Sequence, residues 1–105
     1  MITVREDYDH MTITMEGHAD AMQENGVDAV CAAASMILQT LVYSISQDVR
    51  LQLVNSIEKR LEPGDAMVRI VPHPLYVARA MHKYQMACDG LEMLAQNYPQ
   101  SIRIM

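Results

Sequence analysis

Residues 28–48 read DAVCAAASMILQTLVYSISQD, with no charged side chain between Asp28 and Asp48. Asp28 is a favoured helix N-cap, because its side-chain oxygen can accept from an otherwise unpaired first-turn amide. The apolar run behind it predicts a first helix from Ala29 to about Gln47, long enough to be the central packing element. A stretch this apolar also raises the question of a membrane span. Ser35, Gln39, Thr40, Ser44 and Ser46 interrupt it, however, and Ser35 and Gln39 share one helical stripe. The reading is therefore a buried helix in a soluble domain.

Working outward from this helix, Ile2 and Val4 alternate with Thr3 and Arg5, and Met11, Ile13 and Met15 alternate with Thr12, Thr14 and Glu16. Period-two alternation marks half-buried strands, and the polar stretch from Asp7 to His10 suits a turn between them. Gly17 ends the alternation. His18 to Val27 shows no period and contains a loop-like Gln23-Glu24-Asn25-Gly26 cluster, long enough to invite a functional reason. Downstream, a strand is expected somewhere within Leu51 to Leu61. Glu62-Pro63-Gly64-Asp65 then places Pro and Gly at the two central positions of a type II turn, and Ala66 to Val71 is the returning strand, closed by Pro72 and Pro74.

Val77, Met81, Tyr84, Cys88, Leu91, Leu94 or Ala95, and Tyr98 recur at helical spacing and predict a second helix within Leu75 to Tyr98, ended by Pro99. Ile102 and Ile104 allow a short terminal strand. The order β-β-α-β-β-α, with that possible last strand, gives an α+β fold of two helices packed on a mainly antiparallel sheet.

With 105 residues the chain is expected to form one domain, residues 1–105, that buries roughly 60–70% of its unfolded surface. Thirteen acids against eight bases give a net charge of −5. That balance argues against a nucleic-acid footprint and against an anionic membrane surface. No basic-then-apolar leader opens the chain, so a cytoplasmic protein is expected. Cys31 and Cys88 are too few for a disulfide scaffold, and they sit at no zinc-type spacing. His10, His73 and His82 have no metal spacing among themselves, so no metal or cofactor is expected. The ten methionines, Met11, Met15 and Met81 among them, are read as filling an adaptable core that lacks Phe and Trp.

Chemistry concentrates between Gly17 and Ser35. His18 stands at a strand exit, and thirteen residues later Cys31 falls in the first turn of the helix. Unpaired amides and the positive end of the helix dipole favour a thiolate there. An imidazole nearby can take the thiol proton and return it to a leaving amine, while the same amides are candidates for holding an oxyanion. Asp28 has two competing jobs, helix cap or orienter of His18, and the cap is favoured. Ser35 lies one turn beyond Cys31, within reach of a bound peptide or buried against its own helix. The competing reading is that Cys31 simply packs in a core, as cysteines commonly do. Cys88, on the apolar stripe of the second helix, is a core residue.

Gly17-His18-Ala19, a loop containing Gly26, and then Asp28-x-Val30-Cys31-Ala32-Ala33-x-Ser35 resemble the signature of the bacterial ribosomal-processing cysteine proteases, the Prp family. Gly90-Leu91-Glu92 through Asn97-Tyr98-Pro99 resembles the end of that family's second helix. The resemblance implies a small, homodimeric cysteine endopeptidase of narrow specificity, with His18 as base and Cys31 as nucleophile. Gly17, Gly26, Asp28 and Ser35 would support the site. It implies as substrate a large-subunit ribosomal protein precursor whose N-terminal extension is removed, and a loop that orders on peptide binding. The chain departs from the family pattern in a His-Cys loop one residue longer and in Ala29, where Ile is usual. Other readings are a phage-type relative that processes capsid or scaffold proteins, thiol acyl transfer on a non-peptide substrate, or a non-catalytic module that binds a ribosomal protein.

Overall fold

The computed structural model describes residues 1–19 and 28–105. Strand β1 spans Ile2–Asp7 and, after a single 3-10 turn at Tyr8–His10, is followed by β2, Thr12–Glu16. Helix α1 runs over Ala29–Arg50, β3 over Val54–Glu62, β4 over Asp65–Pro72, helix α2 over Val77–Asn97 and β5 over Ile102–Ile104. The sheet order is β3-β4-β2-β1-β5. Neighbours are antiparallel except β1 and β5, which pair in parallel through Ile2 with Ile102 and Val4 with Ile104. The expected α+β architecture is present in the expected order, with the terminal strand formed.

One sheet face is buried. Val4 on β1, Ile13 and Met15 on β2, Val68 and Ile70 on β4, and Ile102 on β5 point into a core shared with Val30, Ala34, Leu38, Leu41 and Ile45 of α1. Helix α2 adds Ala80, Tyr84, Cys88 and Leu91. By length and composition α1 would reach across a membrane, but its inward stripe is committed to this core. Tyr84 is the largest fully buried side chain. Its hydroxyl donates to the Thr12 carbonyl at 2.8 Å, and its ring meets Tyr8 edge-on at 5.1 Å. With no Phe or Trp, this one phenol supplies the aromatic bulk of the interior and satisfies its polar end on a strand. Met11 and Met15 are buried and Met81 packs against the core, whereas Met36, Met86 and Met93 face outward.

Helix α1 continues a turn past the predicted end near Gln47. The charge that suggested a stop, Asp48, is 1% exposed and is neutralised across the helix pair. Arg79 of α2 donates to its Oδ1 at 3.1 Å, and Lys83 Nζ lies 2.8 Å from its Oδ2. The helix then closes in a Schellman arrangement, with Gln52 in the left-handed region at φ 64°, its amide donating to Val49 O at 3.0 Å, and the Leu53 amide donating to Asp48 O at 2.8 Å. Glutamine where glycine usually stands hid this stop from the sequence. The strand expected within Leu51 to Leu61 consequently begins only at Val54. It forms an edge whose Glu58, Lys59 and Arg60 discourage pairing with other chains.

Burial raises the Asp48 pKa, but the Arg79 and Lys83 contacts outweigh it and the net direction is downward. A carboxyl depressed in the folded state stabilises fully above the ordinary carboxylate range, near 4, and that contribution fades as pH falls through the lower folded value. Asp48→Ala should therefore cost about 2 kcal/mol at neutral pH. The cost stays below that of a fully buried pair because Arg79 and Lys83 can still reach water. In urea melts the difference from wild type should shrink as pH drops through the acid limb.

Candidate active site

The pairing of β2 with β4 ends at Glu16 opposite Asp65. One step further the Gly17 amide donates to the Gly64 carbonyl at 3.0 Å, which ties the exit of β2 to the β3–β4 turn. Both glycines are left-handed, Gly17 at φ 94° and Gly64 at φ 74°. A Cβ on Gly17 would also run into the Met1 carbonyl. The positive φ at Gly64 fits the type II turn predicted from Pro63-Gly64. Arg60 braces that turn, with two guanidinium nitrogens each 3.0 Å from an Asp65 carboxylate oxygen.

His18 leaves this junction exposed, with its carbonyl accepting from the Met1 amine. The next residue, Ala19, is buried, and its amide donates to Cys31 Sγ at 3.2 Å. Cys31 is reached from the other direction through α1. Asp28 caps that helix, its Oδ1 accepting from the Cys31 amide at 3.0 Å while its carbonyl accepts from Ala32 at 3.0 Å. The half-buried Cys31 therefore sits in the first turn of a capped helix, with its sulfur turned towards the β2 exit.

His18 and Cys31 line one cleft of about 320 Å³. Gly17 and Ser35 also line it, and Ser35 is exposed on its wall rather than buried against its helix. Gly26 falls outside the described residues. The sequence reading did not single out Gln39, nor Glu62 and Gly64 of the β3–β4 hairpin as parts of a site, yet all three border the cleft. Gln39 carried a signal, because it shares a helical stripe with Ser35. The hairpin residues carried none, since Pro63-Gly64 reads as a turn wherever it occurs. The expectation that first-turn amides hold an oxyanion meets a constraint: those of Cys31 and Ala32 are already used by Asp28. Among the described residues no group of three His, Cys, Asp or Glu side chains converges as a metal site requires.

Cys88 provides the contrast. It is fully buried, and burial, followed by the neighbouring Glu6 carboxylate, pushes its thiol up to about 12.

A model of the cysteine protease Prp family matches residues 1–103. The chain belongs to this family. Its members are hydrolases that use a cysteine thiol. Among solved structures, the essential ribosomal processing protease Prp from S. aureus, in complex with a covalently linked product peptide, is 27% identical. That match covers 99% of this chain and 97% of the other, with a TM-score of 0.72. The S. aureus protease in complex with a substrate peptide aligns at 20% identity over 99% and 95% of the two chains, TM-score 0.66. SMU.848 from Streptococcus mutans aligns at 20% identity over 98% and 89%, TM-score 0.63, a likeness of fold. A comparison with curated protein sequences returns no match.

The two thiols differ enough for a direct check. In the native protein near neutral pH, iodoacetamide should alkylate Cys31 at least ~100-fold faster than Cys88, and denaturation should equalise the two. Removing the cap with Asp28→Ala should cost about 1 kcal/mol, read by thermal or urea unfolding.

Proposed function

We propose that the protein is a cysteine endopeptidase of narrow specificity in which Cys31 is the nucleophile and His18 the general base. The observation that carries this reading is the convergence of a first-turn thiol and a strand-exit imidazole on one cleft, with the Ala19 amide directed at the sulfur. A hydrogen bond donated to sulfur, together with the positive end of α1, favours the thiolate.

In the first step the Cys31 proton passes to His18, and the thiolate attacks the scissile carbonyl carbon to form a carbon–sulfur bond. The oxyanion draws on donors other than the Cys31 and Ala32 amides, and the Ala19 amide, 3.2 Å from the sulfur, is a backbone donor at the site. The tetrahedral intermediate collapses as the carbon–nitrogen bond breaks and the His18 imidazolium protonates the departing amine. Water, deprotonated by His18, then hydrolyses the thioester, and the proton returns to Cys31. Asp28 supports the nucleophile by capping its helix, whereas Ser35 and Gly17 serve as walls of the cleft for an extended peptide. Gly26 belongs to the segment of sequence between His18 and Cys31, which we assign to peptide binding.

The substrate in this reading is a large-subunit ribosomal protein precursor with an N-terminal extension, supported by the ribosomal processing activity named for the S. aureus relative. The whole chain acts as one cytoplasmic domain that forms a homodimer, uses no metal or cofactor and does not bind nucleic acid directly.

The test is cleavage of a peptide that spans the extension. Cys31→Ala and His18→Ala should each abolish turnover, while Cys88→Ala should keep it despite a modest loss of stability. Wild-type turnover by Cys31→Ala would rule the mechanism out. If the peptide resists cleavage while Cys31 is still trapped by a non-peptide acyl donor, the substrate assignment alone falls.

A further inference from the structure

The β3–β4 turn does more than close a hairpin. An ideal Cβ on Gly64 would stand 2.7 Å from His18 Nε2, 3.2 Å from Cε1 and 3.4 Å from Cδ2. The three closest atoms all belong to the imidazole, so the ring rests on the bare Cα of the turn. The turn itself is held in place from two sides, by the Gly17 amide on the Gly64 carbonyl and by the Arg60–Asp65 fork. His18 departs one residue after Gly17, so the backbone that launches the imidazole and the surface that receives it are joined by one hydrogen bond.

We propose that Gly64 is a positioning residue, whose missing side chain is the seat that holds the His18 imidazole in register with Cys31. This rests on the reading of His18 as general base.

The physical consequence is specific. Carbon atoms in ordinary contact are separated by 3.4–4 Å, so a Cβ at 2.7 Å must drive Nε2 back by roughly 1 Å. His18 is exposed and its ring is the free end of a side chain, so the ring swings away rather than the fold expanding. Such a displacement costs little stability, but a misplacement of this size is worth on the order of 100-fold in rate. An L-residue at φ 74° adds backbone strain that is independent of the imidazole. Asparagine is the substitution that separates the two effects, because it tolerates the left-handed region while carrying the same Cβ.

Gly64→Asn should lower kcat on the extension peptide by about 100-fold, with KM changed less than about threefold and the unfolding midpoint within a few degrees of wild type. The pH profile of Cys31 alkylation should move towards that of His18→Ala. In the double variant the loss should not add to that of His18→Ala, because both changes act through one group. In the wild-type protein, NMR should show a nuclear Overhauser contact between the His18 ring protons and the Gly64 α-protons, a measurement that needs no variant to fold. Absence of that contact overturns the proposal, and so does additivity in the double variant. Wild-type kcat in Gly64→Asn, with His18→Ala inactive, overturns the positioning role and leaves the base in place. Wild-type activity in His18→Ala removes the base, and the proposal with it.

Discussion

The hydrogen bond from the Gly17 amide to the Gly64 carbonyl joins two segments that are far apart in sequence, and the site is built around it. The pairing of β2 with β4 delivers both residues to the same end of the sheet, and each must turn with a positive φ to leave it. Any side chain at 17 would meet the Met1 backbone, and any at 64 would meet the His18 ring. The bare Gly17 thus lets the Met1 backbone approach, and the bare Gly64 frees the volume that the imidazole occupies. The strand exit and the hairpin turn are one structural unit, although the chain writes them separately.

The other half of the site depends on how α1 is anchored at its two ends. At the start, Asp28 fixes the first turn by accepting from the Cys31 amide. At the far end, buried Asp48 is held by Arg79 and Lys83 of α2, which sets the position of α1 against its neighbour. Removing a carboxylate from water costs several kcal/mol unless it is paired, and two cations supply the compensation here. The middle of the helix is locked by its apolar stripe. Cys31 is therefore presented by a rod fixed along its length.

Much of this was legible in residue patterns. Alternation at Ile2/Val4 and Met11/Ile13/Met15 gave two strands, because one sheet face is buried and the other is wet. The charge-free run after Asp28 gave α1, and Pro63-Gly64 gave the hairpin. The end of α1 was not legible, because Asp48 looks like a solvated charge until α2 is folded against it, and because Gln52 occupies a place that glycine usually marks. The parallel pairing of β5 with β1 was also hidden, since alternation at Ile102/Ile104 specifies a strand but no direction. In the site, the order of His18, Asp28 and Cys31 was readable as a local motif. The cleft wall from Glu62 and Gly64 was not, for it arises from a tertiary contact between a turn and a strand exit.

The two cysteines place the same side chain in contrasting surroundings. Cys88 lies on the inner stripe of α2 beside Glu6, where burial and a neighbouring carboxylate both oppose negative charge on sulfur. Cys31 also has a carboxylate close by, and Asp28 directs its Oδ1 onto the Cys31 amide. That geometry uses the acid to order the helix start and satisfies an amide that would otherwise point at solvent. With the Cys31 and Ala32 amides used in the cap, the proposed mechanism leaves stabilisation of charge at the sulfur to the Ala19 amide, the residue that follows His18. The proposed base and the backbone donor then come from the same strand exit. Whatever places the β2 exit places both, and the Gly17–Gly64 junction is what places it.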